Sequence, residues 1–208
     1  MERLDTEEDL AAAVARLAER EPRFALIAER HGLPPLRHAE PGVRSLLRTV
    51  TDQVISLQAG AAIWARLAAR LEPFAPDIIL ACPQEELRAL GLSAAKARCF
   101  HAVAQAFAAG APYTEDQGTD EIISSLTAIA GIGPWTAQIY LLTALRAADA
   151  WPAGDIALQQ AATALLALPS RPTAAQMIEI AEEWRPHRSA AALLLWGHYR
   201  ALKRMPQG

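Results

Sequence analysis

Two short stretches of this chain carry residue types that could do chemistry. In the first, Gly131-Ile132-Gly133-Pro134 separates two apolar runs, SLTAIA and WTAQIYLL. Glycine ends a helix and proline opens one, so the stretch reads as a hairpin between helices. A helix beginning at Gly133 or Pro134 leaves its first backbone N–H groups unpaired. Glycines just before it let a ligand approach the backbone with no Cβ in the way. Such a terminus suits an anion, phosphate above all; a plain helix–helix turn would use the same residues. In the second stretch, Asp155 follows Pro152-Ala153-Gly154 and precedes IALQQAATALL. An Asp at that place is an ordinary helix N-cap. It is also a carboxylate that the helix dipole keeps ionised, able to stabilise developing positive charge or orient a water if it faces a pocket. The two roles are compatible.

The elements that must position these residues read as helices almost throughout. Alanine is abundant and leucines recur at three- and four-residue spacings, while no run alternates with β-branched residues. The expected class is all-α. Asp5 or Thr6 caps a helix to about Arg20, and a second runs from Pro22 to His31-Gly32. Residues 33–42 form a linker. Helices follow over about 43–56 and 58–71, from Pro83 to Gly91, and from the Ser93 cap to about Ala109. After the polar loop YTEDQGTD, helices at about 119–128 and 134–146 flank the hairpin. Asp155 opens another, to about Ala167; Thr173 and Gln176 form a capping box, and the last helix spans about Ser189 to Lys203.

Composition narrows the function classes. At 208 residues with 52 % apolar content, the chain makes one large domain or two small lobes. Its apolar runs are too short to span a membrane. The acidic start MERLDTEEDL has no apolar signal segment, which points to an intracellular, cytoplasmic protein. Two cysteines, Cys82 and Cys99, are too few for a disulfide framework or a four-Cys cluster and fit as small core residues. The net charge is −3 but unevenly spread: residues 184–208 hold Arg185, Arg188, Arg200, Lys203 and Arg204 with no acid. That end is either a solvated helix or a local phosphate-facing surface.

Taken together, GIGPWTAQIYLL followed by PAGD resembles the helix-hairpin-helix and Gly/Pro-Asp signature of the base-excision DNA glycosylase superfamily. The segments VTDQVISLQAGAAIWARL (50–67), LGLSAAKARCF (90–100) and WRPHRSAAALLLW (184–196) resemble the Gln-x-x-Ser, Gly-hydrophobic-Ser-x-x-Lys and Trp-x-Pro-x-Arg-Ser segments of its 3-methyladenine DNA glycosylase II branch. The likeness runs from about residue 40 to 200. Residues 1–40 read as two helices, so the compact, all-helical form is implied.

The resemblance implies a role for each matched position. Asp155 would be the catalytic carboxylate, stabilising an oxocarbenium-like sugar and positioning water. The superfamily's lyase members carry a lysine nucleophile at the position of Trp135, so a monofunctional hydrolase is implied. Alkylated purines are cationic leaving groups, and the enzyme must flip them out of the duplex. Trp135 and Trp196 match pocket tryptophans, although core packing would also explain them; Ile139 and Tyr140 stand where the family often has a pocket tyrosine, and Ile156 where it often has an aromatic. The hairpin would grip one phosphate through amides near Gly131, Gly133 and Thr136. The Gln53, Val54 and Ser56 segment matches the place from which a wedge enters the DNA, with burial of Val54 in the core the other reading. No cofactor is required; Na⁺ or K⁺ would sit on the carbonyls of Thr127, Ile129 and Ile132.

The resulting expectation is two helical lobes with a cleft between them. Residues 1–42 pack with 165–208, and 43–164 carry the hairpin and Asp155. The expected function is removal of 3-methyladenine and 7-methylguanine from double-stranded DNA by a monomer working at the nucleoid. A relative acting on etheno or deaminated bases, or a non-catalytic DNA-binding module, are the alternatives.

Overall fold

A computed structural model describes residues 1–36, 38–114 and 116–204. Arg37 of the expected linker, Glu115 of the expected polar loop and the terminal 205–208 lie outside the described residues, as does the Arg204 side chain of the basic end. The described residues form twelve α-helices and no strand beyond one isolated bridge, Arg3 with Ala147. None is long and apolar enough to cross a membrane.

The chain divides into two compact units, Met1–His38 with Leu141–Gly208, and Ala39–Tyr140. The second crossing therefore falls within the helix after the hairpin, not near residue 164 as expected. Asp155 belongs with the terminal segments because its helix packs on the last helix of the chain.

In the first unit, α1 (Glu7–Arg20) starts at a Thr6/Asp9 capping box and buries Leu10, Ala13, Val14 and Leu17. It packs on α2 (Arg23–His31), which contributes Phe24 and Ile27. The helices α10 (Ile156–Leu166), α11 (Ala174–Ala181) and α12 (Arg188–Arg204) complete this unit. The Thr173/Gln176 capping box forms as expected. Trp184 meets Phe24 and Trp151 edge-to-face, and the Trp151 indole donates to the Met177 carbonyl at 3.0 Å. Around the start of α12, Arg185 and Arg188 pair with Asp149, the Arg188 side chain being only 9 % exposed. The expected basic end is thus partly neutralised: both arginines are ion-paired, and Arg188 is buried against its partner.

In the second unit, α3 (Val43–Asp52), α5 (Pro76–Ala81) and α6 (Gln84–Ala89) pack on α7 (Ala94–Ala108), and α4 (Leu57–Leu71) on α3. Ser56 and Ser93 cap α4 and α7. α8 (Thr119–Thr127) and α9 (Pro134–Thr143) flank the hairpin. Two expected helix ends need correction, and one helix is added. α3 ends at Asp52, not near 56, because Val54 takes φ 57° and breaks the ladder. α9 ends at Thr143 rather than 146, where Arg146 takes φ 60°. The six-residue α5 went unforeseen; its Pro76 stands in the first turn, where a missing N–H is harmless.

Candidate active site and nucleic-acid interface

The hairpin is built around two glycines with different duties. Gly131 has φ +92°, and a Cβ there would stand 2.7 Å from Cys99 Cβ and 2.8 Å from its Sγ. It lets the loop lie directly on α7. Cys99 is buried, and desolvation pushes its thiol up to about 11. A Cβ on Gly133 would meet nothing within 4 Å, so the backbone opening α9 is approachable from outside. The Gly133 carbonyl accepts the Ala137 N–H at 3.1 Å, which closes the first turn.

Thr136 is buried, and its hydroxyl accepts a hydrogen bond from the Gln53 amide at 2.7 Å. Two residues 83 positions apart, both singled out in the sequence, are thereby brought together. Val54 is fully exposed, so the core alternative falls away. Ser56 accepts the Ala59 N–H at 3.2 Å as the cap of α4. Trp135 and Ile139 are half-buried on α9. Tyr140 does not suit a pocket wall: it is 0 % exposed, its hydroxyl accepts the Gly42 N–H at 2.7 Å and is hydrogen-bonded to Tyr113. Burial raises its pKa, with the Tyr113 hydroxyl adding to the effect, so it is a neutral brace.

Of the cation-ligand candidates, the Ile129 carbonyl accepts the Ile132 N–H at 3.0 Å and keeps one lone pair. Thr127 closes α8, so its carbonyl has no partner further along that helix. A set of neutral carbonyl oxygens suits a weakly held monovalent ion. Among the described residues, no group of three His, Cys, Asp or Glu could hold a metal.

Asp155 sits in the other unit, as the N-cap of α10. Its Oδ1 accepts the Leu158 N–H at 3.0 Å and the Trp196 indole N–H at 3.2 Å. The turn that presents it is closed by Asp155 N–H to Pro152 O at 2.8 Å. It is backed by the Gln159 amide donating to Ala153 O at 3.0 Å. The carboxylate is half-buried and oriented by two donors, and Trp196 is half-buried beside it. Trp64, Trp151 and Trp184 are core residues. The pairing of Asp155 with Trp196 escaped the sequence reading; both residues had been singled out, but 41 positions separate them.

A helix-hairpin-helix whose open amides suit phosphate, and a capped, oriented Asp one helix later, are the defining features of one class. The sequence model of the HhH-GPD superfamily of base excision DNA repair proteins matches residues 47–187, and the chain belongs to this family. Among relatives, DNA-3-methyladenine glycosylase 1 of Schizosaccharomyces pombe is 32 % identical over 158 residues, 73 % of this chain and 69 % of that protein. DNA-3-methyladenine glycosylase 2 of Escherichia coli is 30 % identical over 169 residues, 76 % of this chain but only 56 % of that longer protein. The solved structure of an S. pombe 3-methyladenine DNA glycosylase in complex with abasic DNA superposes with a TM-score of 0.81 at 28 % identity. It covers 89 % of this chain and 95 % of that one.

Proposed function

We propose that this protein is a monofunctional DNA glycosylase that hydrolyses the N-glycosidic bond of alkylated purines, 3-methyladenine and 7-methylguanine, in duplex DNA. The observation that carries the reading is Asp155, held at the N-terminus of α10 by the Leu158 amide and the Trp196 indole. A cationic base leaves with little acid assistance, so the chemistry needs a fixed negative charge beside the sugar and a water. Asp155 supplies the charge and accepts a proton from the water as it attacks C1′. Trp196, beside Asp155, is the residue proposed to give an aromatic face to the cationic purine, a contact worth about 0.5–2 kcal/mol. Trp135 at the place of the lyase lysine leaves no amine for a Schiff base, so strand cleavage is not part of the reaction.

The remaining assignments follow from the same reading. The amides near Gly131, Gly133 and Thr136 take one phosphate, Val54 enters the gap left by the flipped nucleotide, and Gln53 and Ser56 flank it. The carbonyls of Thr127, Ile129 and Ile132 would hold Na⁺ or K⁺, which when bound lends positive charge next to that phosphate. The protein works on DNA as a cytoplasmic monomer without a cofactor. The test is release of free bases from methylated duplex DNA, followed by chromatography, for wild type and Asp155→Asn. Wild type releases 3-methyladenine or 7-methylguanine, and the variant, which keeps the cap acceptor but loses the charge, loses roughly a hundredfold in rate. Equal release by both removes Asp155 from the mechanism; no release by wild type with DNA binding intact overturns the reading.

A further inference from the structure

Val54 stands at 102 % of its reference exposure with φ 57°, a conformation that a β-branched side chain disfavours. Something must hold the chain there. Immediately before it, Thr51 O lies in the last turn of α3, where the helix offers no further donor, and Gln53 O ends the cap. Both carbonyls accept from Lys96 Nζ, each at 2.8 Å. Lys96 reaches them because Ser93 caps α7 and accepts the Lys96 N–H at 3.3 Å, which fixes the first turn of that helix. The ammonium is half-buried; desolvation lowers its pKa and the Asp52 charge works against that fall. It has exchanged water for two carbonyls at a helix C-terminus, where a cation is favoured.

Two further contacts lock the turn. Gln53 ties it to Thr136 at the start of α9. Asp52 pairs with Arg48 through Oδ2, while its Oδ1 lies 2.2 Å from where a Cβ on Gly60 would stand, so α4 leaves room for the carboxylate.

We propose that Lys96 is a positioning residue for DNA engagement. It holds the Gln53–Val54 turn in the conformation that presents Val54 outward, and Gln53 registers that turn against the phosphate-binding hairpin. The inference rests on the reading that Val54 enters the duplex, and it adds the device that keeps Val54 ready before DNA arrives. Preorganising the turn removes an ordering step from binding.

The test is a double-mutant cycle on the full chain: Lys96→Met, Val54→Gly and the pair, with Lys96→Arg as the conservative replacement. Release of 7-methylguanine from methylated duplex DNA is measured, together with hydrogen exchange at the amides of residues 53–56. Lys96→Met lowers kcat/KM roughly tenfold, chiefly through KM, and speeds exchange at those amides; Lys96→Arg, which still donates to two carbonyls, recovers most of both. In the Val54→Gly background, Lys96→Met adds no further loss. Losses that multiply independently, exchange left unchanged, or an arginine no better than methionine would each overturn the proposal. If wild type releases no base, the glycosylase reading fails by itself, and the exchange measurement still decides whether Lys96 holds the turn.

Discussion

The two hairpin glycines make opposite predictions. Gly131→Ala places a methyl group 2.7 Å from Cys99 Cβ, and it does so at φ +92°. A side chain in the left-handed region costs about 1–2 kcal/mol. Forcing a methyl group into a filled space costs typically about 1–3 kcal/mol more. The clash is with the root of the Cys99 side chain, which no rotamer change can move, so a loss of about 3 kcal/mol is expected. In a chain of this size that lowers Tm by roughly 6–12 °C. Gly133→Ala meets no atom within 4 Å and no strained φ. Its expected stability loss is at most about 1 kcal/mol, from a poorer helix cap. Its effect falls on binding, because the new methyl group stands on the path by which a phosphate reaches the amides of α9; duplex affinity at low salt drops roughly tenfold. Thermal and guanidinium unfolding and fluorescence anisotropy with a labelled duplex read the two effects separately. A Gly131→Ala protein as stable as wild type would refute the packing argument. A Gly133→Ala protein that binds DNA normally would refute the phosphate cradle.

Three further outcomes are expected. Trp196→Phe keeps an aromatic face but removes the indole N–H from Asp155 Oδ1; steady-state kinetics should show kcat falling roughly tenfold with KM little changed. Tyr140→Phe strands the Gly42 N–H and removes the hydroxyl that Tyr113 is bonded to, and urea unfolding should show a loss of about 1–3 kcal/mol at unchanged m. The folded Cys99 pKa, raised from an ordinary 9.0 to about 11, favours the protonated thiol. Stability on that account is complete below pH 9 and lost as pH rises toward 11, so the unfolding free energy of Cys99→Ala should decline less steeply across that range.

Much of the molecule was legible because it is written locally. Thr6, Ser93, Asp155 and Thr173 each announce a helix start through a side chain that caps three residues on. The ordered motifs carried the family. What escaped depends on distant or atypical partners. WTAQIYLL is apolar on every face, so nothing in it says that Tyr140 points inward and Trp135 partly outward. The pairings of Arg185 and Arg188 with Asp149 span 36 and 39 positions and turned two residues of an apparent basic surface into ion pairs. The unit boundary was misplaced because the packing of α10 on α12 cannot be read from either helix alone. The end of α3 was missed because valine is an improbable residue for a left-handed turn.

That last residue has a consequence for anyone who would improve this protein by selection. At position 54, glycine or asparagine would relieve the backbone, and no packing would be lost because the valine side chain touches solvent. A screen for heat resistance would therefore enrich such replacements, and in doing so would discard the side chain proposed to enter the duplex from the turn that Lys96 and Thr136 hold.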